Sequence, residues 1–190
     1  MGRLASKSPC AGILPVEVEG CRLVEMHPEA IVSVAPYRGQ EDAVSRALDR
    51  EIGVPFPAPN RFVQKRTVRA VWAGPSLAMV IGARVEPANA AVTDQTDAWS
   101  IMQLDGPLAV DVLARLVPVD LRLSRFQCGE VVQTLLHKVN CGIARVHEAT
   151  FEIMAFRSMS NTAVGDLAVA MKCVAARTRM PTRQPLASAP

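Results

Sequence analysis

The sequence is poor in aromatic residues, with 5 Phe, 2 Trp and 1 Tyr among 190 positions. That leaves little from which to build the stacking platforms that hold single-stranded nucleic acid. It also lacks a block of charge of one sign. The net charge is only +3, with Lys and Arg interspersed among Asp and Glu, so no nucleic-acid partner is expected. Long apolar runs are missing as well. The longest uncharged stretch, Ala70 to Ala83, is broken by Gly74, Pro75 and Gly82 and falls short of the roughly 20 apolar residues that span a bilayer. No apolar signal-type stretch follows Met1 before the first Pro and Gly, and Met1-Gly2-Arg3 makes a poor acylation signal. A soluble cytoplasmic protein without a membrane partner is the expectation.

Chemistry-bearing motifs are equally scarce. No Gly-x-Gly-x-x-Gly or Gly-x-x-x-x-Gly-Lys loop occurs, so the chain offers neither a dinucleotide fingerprint nor a phosphate loop. No Ser lies in a Gly-x-Ser-x-Gly elbow. The five cysteines, at 10, 21, 128, 141 and 173, are odd in number and never spaced Cys-x-x-Cys, which argues against a disulfide framework and a zinc site. They read as buried or surface thiols of a reducing compartment, small hydrophobes more than nucleophiles. His27, His137 and His147 stand at no spacing from a carboxylate or cysteine that makes a metal site, and read as solvated or hydrogen-bonded. Asp94 and Asp97 form a pair of carboxylates on paper, but polar residues leading into a strand serve first as turn and capping groups.

What the chain does contain is a folding pattern. With 49% hydrophobic and 21% charged residues it is globular, of a length that suits one domain or two subdomains sharing a core. Residues 1–20 read as a flexible arm. Cys21–Met26 alternates weakly, and Ala30–Ala35 is a β-branched strand. From Gln40 to Ile52 the positions Ala43, Val44, Ala47, Leu48 and Ile52 repeat at helical spacing, with Glu41 and Asp42 in the first turn and Gly53 past the end. Pro55, Pro57 and Pro59 make an extended loop. Val68–Trp72 and Leu77–Ile81 form an apolar hairpin, and residues 84–97 are ambiguous.

The second half repeats the order of the first. Trp99–Leu104 is a strand, and Pro107 opens a helix striped by Ala109, Val112, Leu113 and Leu116 and stopped by Pro118. Strands follow at Val131–His137, Gly142–Val146 and Thr150–Phe156. Ser158 or Ser160 caps a last helix striped by Val164, Leu167, Met171 and Val174, and 177–190 is a mildly basic flexible tail. Gly39 matches Gly106 and Ala43-Val44 matches Ala109-Val110, about 66 or 67 residues apart. The pattern predicts an α+β layered fold of two similar strand–helix–strand–strand units, one over 21–90 and one over 91–176. The Pro-rich segment 54–60, the hairpin 68–81 and both ends read as docking segments, because their burial in a chain of this size is doubtful.

Several short motifs, in order, carry a resemblance. In the first half these are the strand ending in Arg38-Gly39, the helix closing on Ile52-Gly53, the Pro55-to-Asn60 loop and Trp72-Ala73-Gly74-Pro75. In the second they are Asp94-Gln95-Thr96-Asp97-Ala98-Trp99, Leu104-Asp105-Gly106-Pro107, Val112-Leu113-Ala114, Pro118-Val119-Asp120-Leu121, Gln133-Thr134-Leu135-Leu136 and Phe156-Arg157-Ser158. Over residues 20–175 the chain resembles the gamma subunits of heterotetrameric sarcosine oxidases, with a departure at Ser76-Leu77-Ala78, where that family tends to carry an acidic residue and an aromatic. The second half also resembles, more distantly, the aminomethyltransferase of the glycine cleavage system and its folate-binding relatives. Asp120 stands where those proteins have an acid of the folate site, but their paired-acid signature falls on Asn140–Arg145, which lacks the acids. Asp120 therefore reads as a turn or interface residue, with a folate site as the alternative.

The resemblance implies two ferredoxin-like units packed together, like the first part of the aminomethyltransferase fold. It implies a non-catalytic subunit of a complex that oxidatively demethylates sarcosine, or a related N-methyl amine, and passes the one-carbon unit to tetrahydrofolate. The partners would be the alpha, beta and delta subunits. They would carry the FAD, FMN, NAD, zinc and tetrahydrofolate sites, none of which falls to this chain. A free-standing folate-binding or aminomethyl-transferring protein and an unrelated interaction module are the alternatives.

Overall fold

The computed structural model describes residues 7–179. In chain order the elements are β1 (Val16–Val18), β2 (Cys21–Met26), β3 (Ile31–Pro36), α1 (Glu41–Ile52), β4 (Phe62–Lys65), β5 (Val68–Gly74), β6 (Leu77–Ile81) and β7 (Ala90–Asp94). They continue as β8 (Trp99–Asp105), α2 (Ala109–Leu113), β9 (Val131–Leu136), β10 (Val139–His147), β11 (Thr150–Phe156) and α3 (Ser160–Thr178).

The helices follow from their apolar spacing. In α1, Val44 and Leu48 are buried one turn apart, and Glu41 and Asp42 occupy the first turn, where the exposed backbone N–H groups favour negative charge. Gly53 ends it in the left-handed region (φ 71°) and its N–H returns to the Asp49 carbonyl. α2 begins at Ala109, two residues later than Pro107 implies, because Leu108 is not yet helical. All four stripe residues of α3, Val164, Leu167, Met171 and Val174, are buried. Neither Ser158 nor Ser160 caps that helix. The chain enters it through a 3-10 turn at Arg157–Met159, and the buried Ser160 hydroxyl donates to the Arg157 carbonyl at 2.8 Å.

The strands form two antiparallel sheets, giving the expected α+β class. One sheet has the order β1-β2-β8-β11-β10-β9, the other β4-β5-β6-β3-β7. Alternation along each strand sends side chains to two faces, and three apolar layers result. Val44 and Leu48 of α1 pack on Val32, Val34, Ala70 and Val80 of the five-stranded sheet. The α2 and α3 stripes pack on Leu104, Ile143, Phe151 and Ile153 of the six-stranded sheet. Ile31, Val71, Met79 and Ile81 meet Ile101, Val131, Ala144 and Met154 between the sheets. Each fully buried Leu or Ile contributes about 1.5–3 kcal/mol. The molecule is thus layered helix, sheet, sheet, helix.

The two halves are copies that have exchanged their first strands. β3-β6-β5-β4 in one sheet has the same order and connections as β8-β11-β10-β9 in the other. Yet β2, from the first half, pairs with β8, and β7, from the second, pairs with β3. The boundary expected between 21–90 and 91–176 is therefore not a boundary between sheets. Local patterning cannot reveal such an exchange, because it fixes which residues form a strand and not which edge the strand joins.

Further expectations change with the structure. Over its described part the arm is not loose. Cys10 is buried, the Ser8 hydroxyl and Cys10 N–H both donate to the Glu25 carboxylate, at 2.7 and 3.0 Å, and β1 pairs with β2. The tail begins later than residue 177, since α3 runs to Thr178 and Arg179 pairs with Glu19; Arg183 and the remainder lie outside the described residues, as do 1–6. The hairpin 68–81 is not a docking surface. Its Ala70, Val71, Ala78, Met79, Val80 and Ile81 are buried at the middle of a sheet. In the Pro-rich loop Val54 and Pro57 are buried, while Ala58, Pro59 and Asn60 are exposed.

Candidate functional site

Polar groups converge between the two sheets. On β5, Arg69 shares the parity of Val71 and so faces the six-stranded sheet; on β11, Glu152 shares the parity of Met154 and faces back. Their side chains meet, Nη1 to Oε2 at 2.5 Å, with 10% and 6% of each exposed. An ion pair so removed from water is held only because each charge compensates the other. The Arg69 Nε has no hydrogen-bond partner.

This pair lies in the wall of a cleft of about 480 Å³, lined also by the β4–β5 turn at Arg66 and Thr67 and by Val146 and His147 at the end of β10. Gln103 from β8 and Gln64 from β4 add amides, Arg66 a cation and Glu29 an anion, and Met26, Ile81 and Ile101 form apolar wall. His27 and His147, far apart in sequence, both reach it and are exposed, whereas His137 sits 3.2 Å from Asp166 at another surface. Towards the opposite end of the inter-sheet layer Glu152 and Ile81 also line an apolar cavity of about 100 Å³, with Trp72 and Trp99.

The other candidates named from the sequence are not brought to this cleft. Asp120 lies in the loop after α2. It accepts from the Arg122 backbone N–H at 3.1 Å and from its guanidinium at 2.5–3.1 Å, and these bonds draw its pKa down to about 2. All of its partners belong to one neighbouring residue, the geometry of a turn. Asp94 accepts from the Thr96 hydroxyl and backbone N–H and from Arg84, which also takes its pKa to about 2, while the Asp97 side chain is fully exposed. The stretch Asn140–Arg145 is the body of β10. Its Arg145 turns to the helical face, stacks 4.4 Å over the Phe151 ring and donates to the Leu121 and Glu148 carbonyls, pinning the loop after α2.

Among the cysteines, Cys10, Cys21 and Cys141 are buried, and Cys128 and Cys173 are exposed. Burial pushes the Cys21 and Cys141 thiols up to about 11, which leaves them protonated and unreactive at neutral pH. Among the described residues no group of three or more His, Cys, Asp and Glu could hold a metal ion, and no helix is long and apolar enough to cross a membrane. Reading along the sequence missed Arg69 and Glu152. The signal was present: each is a lone charge inside an otherwise apolar strand, Val68-Arg69-Ala70-Val71-Trp72 and Thr150-Phe151-Glu152-Ile153-Met154.

No protein-family model matches the chain, and no curated protein matches it in sequence. Among solved structures it is similar to a chain of the heterotetrameric sarcosine oxidase from Corynebacterium sp. U-96, solved in complex with pyrrole 2-carboxylate. The two share 22% identity with a TM-score of 0.78, over 90% of this chain and 96% of that one. The two chains are thus of nearly equal length, and at this identity the likeness shows a common fold. An aspartate kinase from Clostridium acetobutylicum aligns over 34% of its own length with a TM-score of 0.39, too low to carry any argument.

Proposed function

We propose that the chain is the gamma-type, non-catalytic subunit of a heterotetrameric sarcosine oxidase-type flavoenzyme complex. The observation that carries this is the near end-to-end likeness, in both directions, to one chain of such a heterotetramer. A match confined to one domain of a long flavin-bearing chain would have covered a small share of it. The ordered motifs from Arg38-Gly39 to Phe156-Arg157-Ser158 support the same reading from the sequence side.

In this proposal alpha, beta and delta subunits carry FAD, FMN, NAD, zinc and the tetrahydrofolate site. The complex oxidatively demethylates sarcosine or a related N-methyl amine in the cytoplasm, and this chain contributes architecture. Apolar side chains left exposed by its own fold, among them Tyr37, Leu123, Leu135, Phe156 and Val169, are available to seat on the larger subunits. Asp120 acts as a turn residue and takes no part in folate binding.

The test is affinity isolation of the tagged full chain from its native cells. It should bring down a large flavin-containing chain in equimolar amount, in a preparation that forms peroxide when sarcosine is added. Recovery of the chain free of any flavoprotein, from cells in which sarcosine oxidase activity is induced, would overturn the proposal.

A further inference from the structure

We infer that the cleft between the sheets is a binding site for a small zwitterion of the α-amino acid class, with Arg69 on the carboxylate side and Glu152 on the ammonium side. The inference concerns this chain's own residues and does not depend on which subunits it joins. An ion pair serving packing alone is poorly accounted for here, because apolar residues of the same volume in such a layer are often as stable or more so. Apolar residues of the inter-sheet layer, among them Ile81, Ile101 and Met154, pack around the pair, and the Arg69 Nε has no hydrogen-bond partner although the residue is only 8% exposed.

The chemistry of the walls selects the ligand. A dianion such as phosphate would meet Glu152 and Glu29, and a simple cation would meet Arg66 and Arg69. A molecule with one charge of each sign, set a few bonds apart, satisfies both members of the buried pair without leaving either charge uncompensated. Gln103 supplies a donor and an acceptor beside them, and Met26 and Ile101 give a side chain of modest size an apolar wall. The volume, about 480 Å³, falls within the usual range of small-molecule pockets.

The experiment is calorimetric titration of the purified full chain with L-methionine, N-acetyl-L-methionine, which lacks the ammonium, and L-methionine methyl ester, which lacks the carboxylate. Saturable binding of methionine is expected, with each derivative weaker by about tenfold or more, the loss of one charge-assisted contact. Absence of saturable binding, or a derivative that binds as well as methionine, overturns the inference. The double variant Arg69→Met/Glu152→Met, which keeps the layer filled and leaves no lone charge, should retain its unfolding midpoint and lose methionine binding; undiminished binding again overturns it. Should that variant fail to fold, Gln103→Leu gives the second reading. Binding about tenfold weaker is expected, and unchanged affinity counts against the site.

Discussion

Arg61 and Glu130 face each other as an isolated antiparallel bridge that ties the edge of one sheet to the edge of the other, their side chains paired at 3.2 Å. The backbone bonds beside them are reciprocal. Phe62 N–H donates to the Gly129 carbonyl at 3.0 Å, and Val131 N–H donates to the Asn60 carbonyl at 2.9 Å. Asn60 and Gly129 both hold positive φ, 59° and 88°. The two halves thus meet across a local two-fold axis. The same symmetry appears again at the far ends of the hairpins, where Gly82 N–H donates to the Ala30 carbonyl and Arg157 N–H to the Ala98 carbonyl, each at 2.8 Å. Strand exchange and this seam make one folding unit of two copies.

Equivalent glycines should differ in cost. Gly39 and Gly106 follow the corresponding strands β3 and β8 with φ of 78° and 129°. A Cβ on Gly39 meets open space, while one on Gly106 overlaps the Gly20 carbonyl oxygen, where the chain turns into exchanged strand β2. Gly39→Ala should cost about 1–2 kcal/mol, the strain of the left-handed region. Gly106→Ala should cost about 4 kcal/mol or more, since backbone has to move as well. Denaturant unfolding of the two variants checks this; equal costs would mean that the Gly20 turn yields freely.

The buried pair gives a second contrast. Arg69→Met and Glu152→Met each leave one charge stranded between the sheets and should destabilise by about 3–5 kcal/mol, whereas the double variant should lie close to the parent. A double-mutant cycle from thermal or denaturant midpoints measures the difference. Additive losses in the double variant would show that the two side chains do not compensate each other.

The sequence revealed the elements better than their arrangement. Helices α1 and α3 carry full apolar stripes on a period that no strand shares, and the bounds of β11 were legible because Thr150–Phe156 is apolar apart from Thr150 and Glu152 and is followed by Arg157. The strands overlooked, β1, β4 and β7, are short and lie at or beside sheet edges, where one side needs no apolar residue and pattern fades. The faint match of Gly39 to Gly106 corresponds to a real equivalence of position, since each follows the matching strand of its sheet, β3 or β8, with positive φ. It could not disclose the exchange of β2 and β7, whose partners are set by long-range pairing. Arg69 and Glu152 lie over eighty positions apart, so nothing local pairs these two charges, and only the stacking of the sheets brings them together.

The buried thiols should make stability fall in alkali. Desolvation raises the Cys21 and Cys141 thiols from 9.0 to about 11 in the folded chain. Between those values the unfolded chain has lost protons that the folded one retains, so unfolding is favoured progressively as pH rises. Their contribution is complete below about pH 9 and is lost on passing about pH 11. Chemical unfolding between pH 8 and 11 should show the decline, and Cys141→Ala should reduce its slope. In the folded chain at pH 8, iodoacetamide should label Cys128 and Cys173 and leave the buried Cys10, Cys21 and Cys141 for the denatured state; adduct masses give the answer. Rapid labelling of Cys141 in the native protein would contradict the account.

The exchanged strands make neither half able to stand alone. Separation between Ala88 and Asn89, both exposed, would give the first fragment β2 without β8 beside it, and the second β7 without β3. Each fragment would also expose its face of the inter-sheet layer, including one member of the Arg69–Glu152 pair. A sheet with an unpaired edge, one bare apolar face and a lone charge on that face has lost the burial that offsets chain entropy. Fragments 1–88 and 89–190, expressed separately, should therefore show no cooperative thermal transition. Expressed together they should co-purify as a one-to-one complex, because every contact across the cut is non-covalent and the cut lies on the surface. Circular dichroism melts and size-exclusion chromatography distinguish the outcomes. A cooperative melt from either fragment alone would mean that its own core suffices, and that strand exchange adds to a fold which each half already possesses.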